Sequence, residues 1–120
     1  MTQSANEPHV LVVEDEDSIR LTLRDYLTRL GYRVLVASDG VGAIKQILDF
    51  NITFIITDYR MDILGGDYWV RFLENFCKDK KVLLTSGFLK PEFPVPFEVL
   101  TKPYSFKDLE DRLKTHFVNT

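Results

Sequence analysis

The sequence predicts an α/β fold: a doubly wound, five-stranded parallel sheet whose helix between the fourth and fifth strands is short or absent. Three observations carry this. Five short apolar runs, HVLVV, RVLVA, ITFIIT, KVLLT and FEVLT, recur along 120 residues. Segments of helical periodicity separate them wherever proline does not intervene. The third run, Ile52 to Thr57, is almost continuously apolar, as in a strand covered on both faces by parallel packing. Strands alternating with helices force crossover connections, and those produce a parallel sheet.

The elements follow in order. Met1 to Glu7 is polar, and residues 1–8 read as a flexible tail. His9 to Val13 is the first strand. Asp17 or Ser18 is placed to cap a helix with Ile19, Leu23, Tyr26, Leu27 and Leu30 on its inner face, and Gly31 to end it. Arg33 to Ala37 is the second strand. A helix over Val41 to Leu48 turns Ile44, Ile47 and Leu48 inward, and Asn51 marks its exit. Ile52 to Thr57 is the third strand, and Gly65 and Gly66 punctuate the loop beyond it. A helix from Asp67 to Cys77 carries Trp69, Phe72, Leu73 and Phe76, read as core. Lys81 to Thr85 and Phe97 to Thr101 are the last strands. Pro91, Pro94 and Pro96 forbid an ordinary helix between them. Ser105 caps a final helix presenting Phe106, Leu109, Leu113 and Phe117. The folded domain covers residues 9–118, with 119–120 as a tail.

Composition narrows the functions. The 45% hydrophobic content suits one domain with a real core. Net charge is −3, with no basic cluster, which argues against direct nucleic-acid binding. No apolar run is long enough to insert into a membrane, and the start lacks the form of a secretory signal. A single cysteine, Cys77, cannot form an internal disulfide, which fits a cytoplasmic setting, and with no candidate base near it in sequence it is not read as a catalytic thiol. His9 and His116 lie at opposite ends, so a histidine-rich metal site is not expected.

The chemistry collects at the carboxyl ends of the strands, where ligands bind in open α/β sheets. Asp58 follows the third strand, Glu14 and Asp15 the first, Thr85 ends the fourth and Lys102 follows the fifth. Each alone has an ordinary reading as a cap, a solvated charge or a strand end. Together, at successive strand ends, they form a site. Three clustered carboxylates repel one another, and a hard divalent cation relieves that repulsion. Mg²⁺, for which Mn²⁺ could substitute, fits this oxygen-rich set. Asp58 would then be a carboxylate nucleophile toward phosphorus. Lys102 and the Thr85 hydroxyl would meet the phosphoryl oxygens, and Thr85 would tether the following loop to the phosphate.

These residues resemble the receiver domain of two-component response regulators. VLVVEDED carries the acidic pair, ITDYRMDILGG the phosphorylated aspartate and its loop, LLTSG the switch threonine and LTKPY the lysine–proline pair. The resemblance covers residues 9 to 117 and implies a flavodoxin-like strand order 2-1-3-4-5. It also implies Asp58 as phosphoacceptor and Asp15 as a direct Mg²⁺ ligand, with Glu14 acting through metal-bound water and the backbone carbonyl of Arg60 as a further ligand. Lys102 would contact the phosphoryl group and Thr85 couple it to conformation. Ser86 would be the small residue beside the phosphate, and Pro103 would hold the lysine loop, in cis after Lys102. The partners implied are a histidine kinase or histidine phosphotransfer protein as donor and a downstream protein as target.

The chain departs from the family pattern in three places. Met61-Asp62 stands where Met-Pro is usual. Val99 occupies the aromatic switch position and cannot swing a ring. The region Ser86 to Pro96 crowds out the fourth helix, so the moving part is expected to be this loop, with Phe88, Leu89 and Phe93 as its apolar members. A single-domain regulator or phosphate relay is the simplest reading; a receiver from a hybrid histidine kinase or multidomain regulator is the alternative. Self-phosphorylation from a phosphodonor and autodephosphorylation are expected, without dedicated small-molecule turnover. An aspartyl-nucleophile phosphatase would want an acid two residues after Asp58, where Arg60 stands. A flavin carrier would not place Glu14-Asp15-Glu16 in its phosphate loop.

Overall fold

The computed structural model describes residues 7–59, 66–87 and 97–118. Its strands are β1 (His9–Val13), β2 (Val34–Ala37), β3 (Ile52–Asp58), β4 (Lys81–Ser86) and β5 (Glu98–Thr101). The helices are α1 (Asp17–Arg29), α2 (Gly40–Asp49), α3 (Gly66–Phe76) and α4 (Phe106–Val118). All strand pairs are parallel, in the order β2-β1-β3-β4-β5. The doubly wound sheet read from the sequence is therefore the fold. Among the described residues there are four helices, and none lies between β4 and β5. The loop residues 88–96, including Phe88, Leu89 and Phe93, lie outside the described residues, as do Arg60, Met61, Asp62 and Gly65.

Alternation along each strand divides the core into two layers. Leu11 and Val13 of β1 face a cluster with Ala43 of α2 and Trp69, Val70 and Leu73 of α3. Val10 and Val12 face the opposite cluster, with Leu23 and Leu27 of α1 and Leu109 and Leu113 of α4. The central β3 serves both: Ile55 belongs to the first layer, Phe54 and Ile56 to the second. Residues of β1 and β3 are almost entirely excluded from solvent, which explains why β3 reads as an unbroken apolar run. Leu109 is fully buried, and Leu109→Ala is expected to cost about 2–5 kcal/mol, read as a lower urea midpoint at unchanged slope.

Several expectations about helix ends and faces need correction. Leu48 is 79% exposed and Phe76 is 72% exposed, and Leu30 lies outside as the C-cap of α1. In α2 the inward line runs through Gly40 and Ala43, so Leu48 falls on its outer edge. In α3 the inward line runs Trp69, Leu73 and on to Cys77, which is buried just beyond the helix end. Neither Asp17 nor Ser18 caps α1: Glu16 is the N-cap, without a side-chain capping bond, and the Ser18 hydroxyl donates to Glu16. Ser105 does cap α4, accepting from the Asp108 N–H at 3.1 Å. Gly31 ends α1 with φ +102°, a conformation that favours glycine, and its N–H bonds to the Thr28 carbonyl. Among the described residues no helix is long and apolar enough to cross a membrane.

Candidate functional site

Parallel strands all point the same way, so their carboxyl ends share one rim of the sheet. Glu14 extends β1, and its N–H still donates to the Ala37 carbonyl of β2. Asp58 is the last residue of β3, in register with Thr85 of β4. Thr85 pairs in turn with Leu100, and Ser86 with Thr101. Just beyond, the Lys102 N–H donates to the Ser86 carbonyl at 2.7 Å, which aims the lysine back across the rim. The Lys102–Pro103 peptide bond is cis.

The side chains converge. Glu14, Asp15 and Asp58 each offer a carboxylate oxygen within 4.8 Å of the others. Glu14 and Asp58 are buried and Asp15 is exposed. The Lys102 ammonium lies 3.2 Å from Asp58 Oδ2 and 3.3 Å from Glu14 Oε1, donating to both. Burial, and then the charge of Asp58, push the Glu14 carboxyl above its usual range; the Glu16 N–H and Lys102 only partly offset them. Burial pulls the Lys102 ammonium down, but the charges and hydrogen bonds of Asp58 and Glu14 outweigh it and hold its pKa above the usual lysine value. Two buried carboxylates thus share one ammonium, and an exposed third carboxylate stands beside them. Three carboxylates against one internal cation leave net negative charge, and the donors are all hard oxygens, so the set fits a hard divalent cation.

Thr85 and Ser86 are both buried. The Thr85 hydroxyl donates to the Thr57 carbonyl at 3.5 Å, and its own carbonyl accepts from the Tyr59 N–H at 2.9 Å. β3 and β4 are thereby fastened on either side of Asp58. Val99 is half-buried and packs against the α2–α3 layer. Pro103 is exposed, on the wall of a groove of about 640 Å³ between α1 and the β5–α4 loop, together with Ile19, Lys102 and Phe106. The expected Arg60 carbonyl ligand lies outside the described residues.

Two features of the site carry no signal in the one-dimensional pattern. The Trp69 indole N–H donates to the Thr57 hydroxyl at 2.8 Å, and that hydroxyl donates to the Asp58 carbonyl at 3.1 Å. Arg20, an ordinary-looking surface charge in the sequence, reaches the Glu14 carbonyl at 3.0 Å.

Comparison with known proteins agrees with this arrangement. The family model of the response regulator receiver domain matches residues 10–114. The chain is 30% identical to the sensor kinase CckA of Brucella abortus (strain 2308), over 94% of this chain but only 13% of that protein. It is 29% identical to protein PilG of Pseudomonas aeruginosa, over 97% of this chain and 92% of that one. The chemotaxis response regulator CheY4 of Vibrio cholerae superposes with a TM-score of 0.77 at 26% identity, covering 94% of this chain and 98% of that one. The receiver motif thus occurs both as a small part of a long kinase and as nearly the whole of a short protein. With the family matched from β1 into α4, the sheet order reproduced and the acidic cluster assembled at the strand ends, the chain belongs to the response regulator receiver domain family.

Proposed function

We propose that Asp58 accepts a phosphoryl group from phosphohistidine on a kinase or phosphotransfer protein, with Mg²⁺ held by Asp15, Asp58 and, through water, Glu14. The observation that carries this is the convergence of three carboxylates and one ammonium at the rim of the sheet. An Asp58 oxygen attacks phosphorus, the P–N bond to the donor imidazole breaks, and the imidazole leaves with the bonding pair. Lys102 neutralises charge on the phosphoryl oxygens, and the Thr85 hydroxyl turns from Thr57 to donate to one of them. Mg²⁺, when bound, supplies charge neutralisation at those same oxygens. Water attack on phosphorus later releases inorganic phosphate and restores the Asp58 carboxylate. The Arg60 carbonyl belongs to the proposed ligand set by family resemblance, Ser86 lies beside the phosphate, and Pro103 holds the Lys102 turn.

Signalling follows from the Thr85 movement, since Val99 has no ring to rotate. A downstream protein would read the changed surface. The lone Cys77, buried and without a second cysteine in the chain to pair with, supports a cytoplasmic site of action. Phosphohistidine transfer tests the reading. A phosphorylated histidine phosphotransfer protein mixed with this chain should lose its label to it in Mg²⁺ and not in excess chelator. Label retained by the donor in both conditions, across a panel of donors, would count against the reading.

The raised Glu14 carboxyl gives a pH signature. Protonation removes one negative charge from the cluster, so cation affinity falls as pH falls. Because the Glu14 pKa lies above the ordinary 4.5, the fall begins while free carboxylates are still ionised. Calorimetric Mg²⁺ titrations at pH values descending toward 4.5 should show binding weaken before that value is reached. Affinity that stays flat until below 4.5 would remove Glu14 from the cation site.

A further inference from the structure

Arg20 is on the first turns of a surface helix, yet its side chain is only 14% exposed. Two bonds account for this. One guanidinium nitrogen donates to the Glu14 carbonyl at 3.0 Å, the other to the Asp17 carboxylate at 2.6 Å. The Glu14 carbonyl belongs to the peptide plane that leads into Asp15. Holding that oxygen fixes the direction in which Asp15 leaves β1. The same short loop is held from its other side: the Glu16 N–H donates to the Glu14 carboxylate at 3.2 Å, and the Glu16 carbonyl accepts from the Arg20 N–H at 3.0 Å. Arg20 therefore grips the acidic loop at both ends, by side chain and by backbone, while touching none of the three carboxylates of the cluster.

From this geometry we infer that Arg20 is a positioning residue, setting the cation affinity of the Glu14–Asp15–Asp58 cluster by holding the Glu14–Asp15 peptide in place. The inference rests on the Mg²⁺ reading proposed above. The charge of Arg20 works against it: a guanidinium near a cation site repels the cation. Asp17, 81% exposed, pairs with that charge and blunts the repulsion. Electrostatics and positioning thus predict opposite signs when Arg20 is removed. Relief of repulsion would tighten Mg²⁺ binding; loss of the grip would weaken it.

The experiment uses the full 120-residue chain, with Arg20→Met to remove all donors and Arg20→Lys to keep the charge and a single donor group. Mg²⁺ affinity is measured by calorimetry. The Met variant is expected to bind about tenfold more weakly, as when an outer partner of a metal ligand is lost, with the Lys variant in between. The rate of phosphorylation by a small phosphodonor at saturating Mg²⁺ should stay within about twofold of wild type, because the reacting groups are intact. Hydrogen exchange on metal-free protein supplies a readout independent of loading: the Glu16 amide should exchange faster in the Met variant, and the Leu23 and Leu27 amides should not. Unchanged or tighter Mg²⁺ binding would overturn the inference, as would faster exchange spread through Leu23 and Leu27, which would mark a general role in the helix. Wild type that binds no Mg²⁺ sinks the metal reading and this inference with it; wild type that binds, beside an equal Met variant, sinks only the inference.

Discussion

Asp58→Asn is expected to accept no phosphoryl group from any donor that labels the wild type. The amide matches the carboxylate in size, so the fold should survive; what disappears is the nucleophilic oxygen and its negative charge. Asp58 is the only carboxylate among the three at the end of the central strand, directly in register with Thr85 and bonded to Lys102. Glu14 leaves the neighbouring strand and is occupied by the Glu16 N–H and Lys102. Asp15 is exposed and lies on the loop. Loss of a nucleophile removes its covalent intermediate outright. Incubation with Mg²⁺ and a small phosphodonor, followed by intact mass and peptide mapping, should show one phosphoryl group on the wild-type peptide containing Asp58 and none on the variant. Equal labelling of both proteins would refute the assignment. Labelling transferred to Asp15 in the variant would show that position in the cluster, and not strand register, selects the acceptor.

The legible part of this site was the part set by strand direction. Glu14, Asp58, Thr85 and Lys102 lie far apart in sequence, yet each directly ends or follows an apolar run, and parallel winding brings such ends together without any knowledge of side-chain contacts. Helix faces were less legible. Periodicity turns Leu48, Phe76 and Leu30 inward because it counts apolar residues, while the sheet covers only a narrow strip of each helix; Ala43, Leu73 and Cys77 fill that strip. The α1 cap was misplaced because Asp17 and Ser18 are good capping residues by type. The chain instead enters the helix one residue earlier, at Glu16, where Arg20 and Glu14 supply the bonds. Arg20 itself could not be found from the pattern. A charged residue on a helix reads as solvated, and its role depends on a backbone oxygen that only the β1–α1 turn brings within reach.

Lys102→Met should produce three effects of different sign, and their combination separates a charge role from simple loss of structure. The variant keeps the long apolar stem and removes the ammonium that Asp58 and Glu14 share. Two carboxylates whose side chains are only 10% and 5% exposed then face each other without the ammonium they shared. Breaking a buried ion pair by removing one partner costs about 3–5 kcal/mol; with Lys102 itself a quarter exposed and Glu14 able to take up a proton, a loss of about 3 kcal/mol at most is expected for the metal-free protein. The pH dependence gives the sign. Lys102 has a folded pKa raised above 10.5, so its stabilisation is fully present below about that value and lost as pH rises through the higher folded pKa. Glu14 is a raised acid, so the folded state binds its proton more tightly and stability falls as pH climbs from 4.5 through the folded value. Without Lys102 to lower it, that Glu14 penalty grows, and mild acidification should rescue the variant relative to wild type. A divalent cation should rescue it too. In wild type the cation competes with the ammonium for the same oxygens; in the variant it has none to displace, so Mg²⁺ should bind more tightly and raise the unfolding midpoint further. Phosphorylation should nevertheless slow by about 10²–10³-fold at saturating Mg²⁺, because the phosphoryl oxygens lose their fixed positive partner. Urea unfolding with and without Mg²⁺, calorimetry and donor labelling measure the three effects. Mg²⁺ affinity equal to or below that of wild type would mean that Lys102 does not hold the cluster's charge in the metal-free state, whatever happens to the rate.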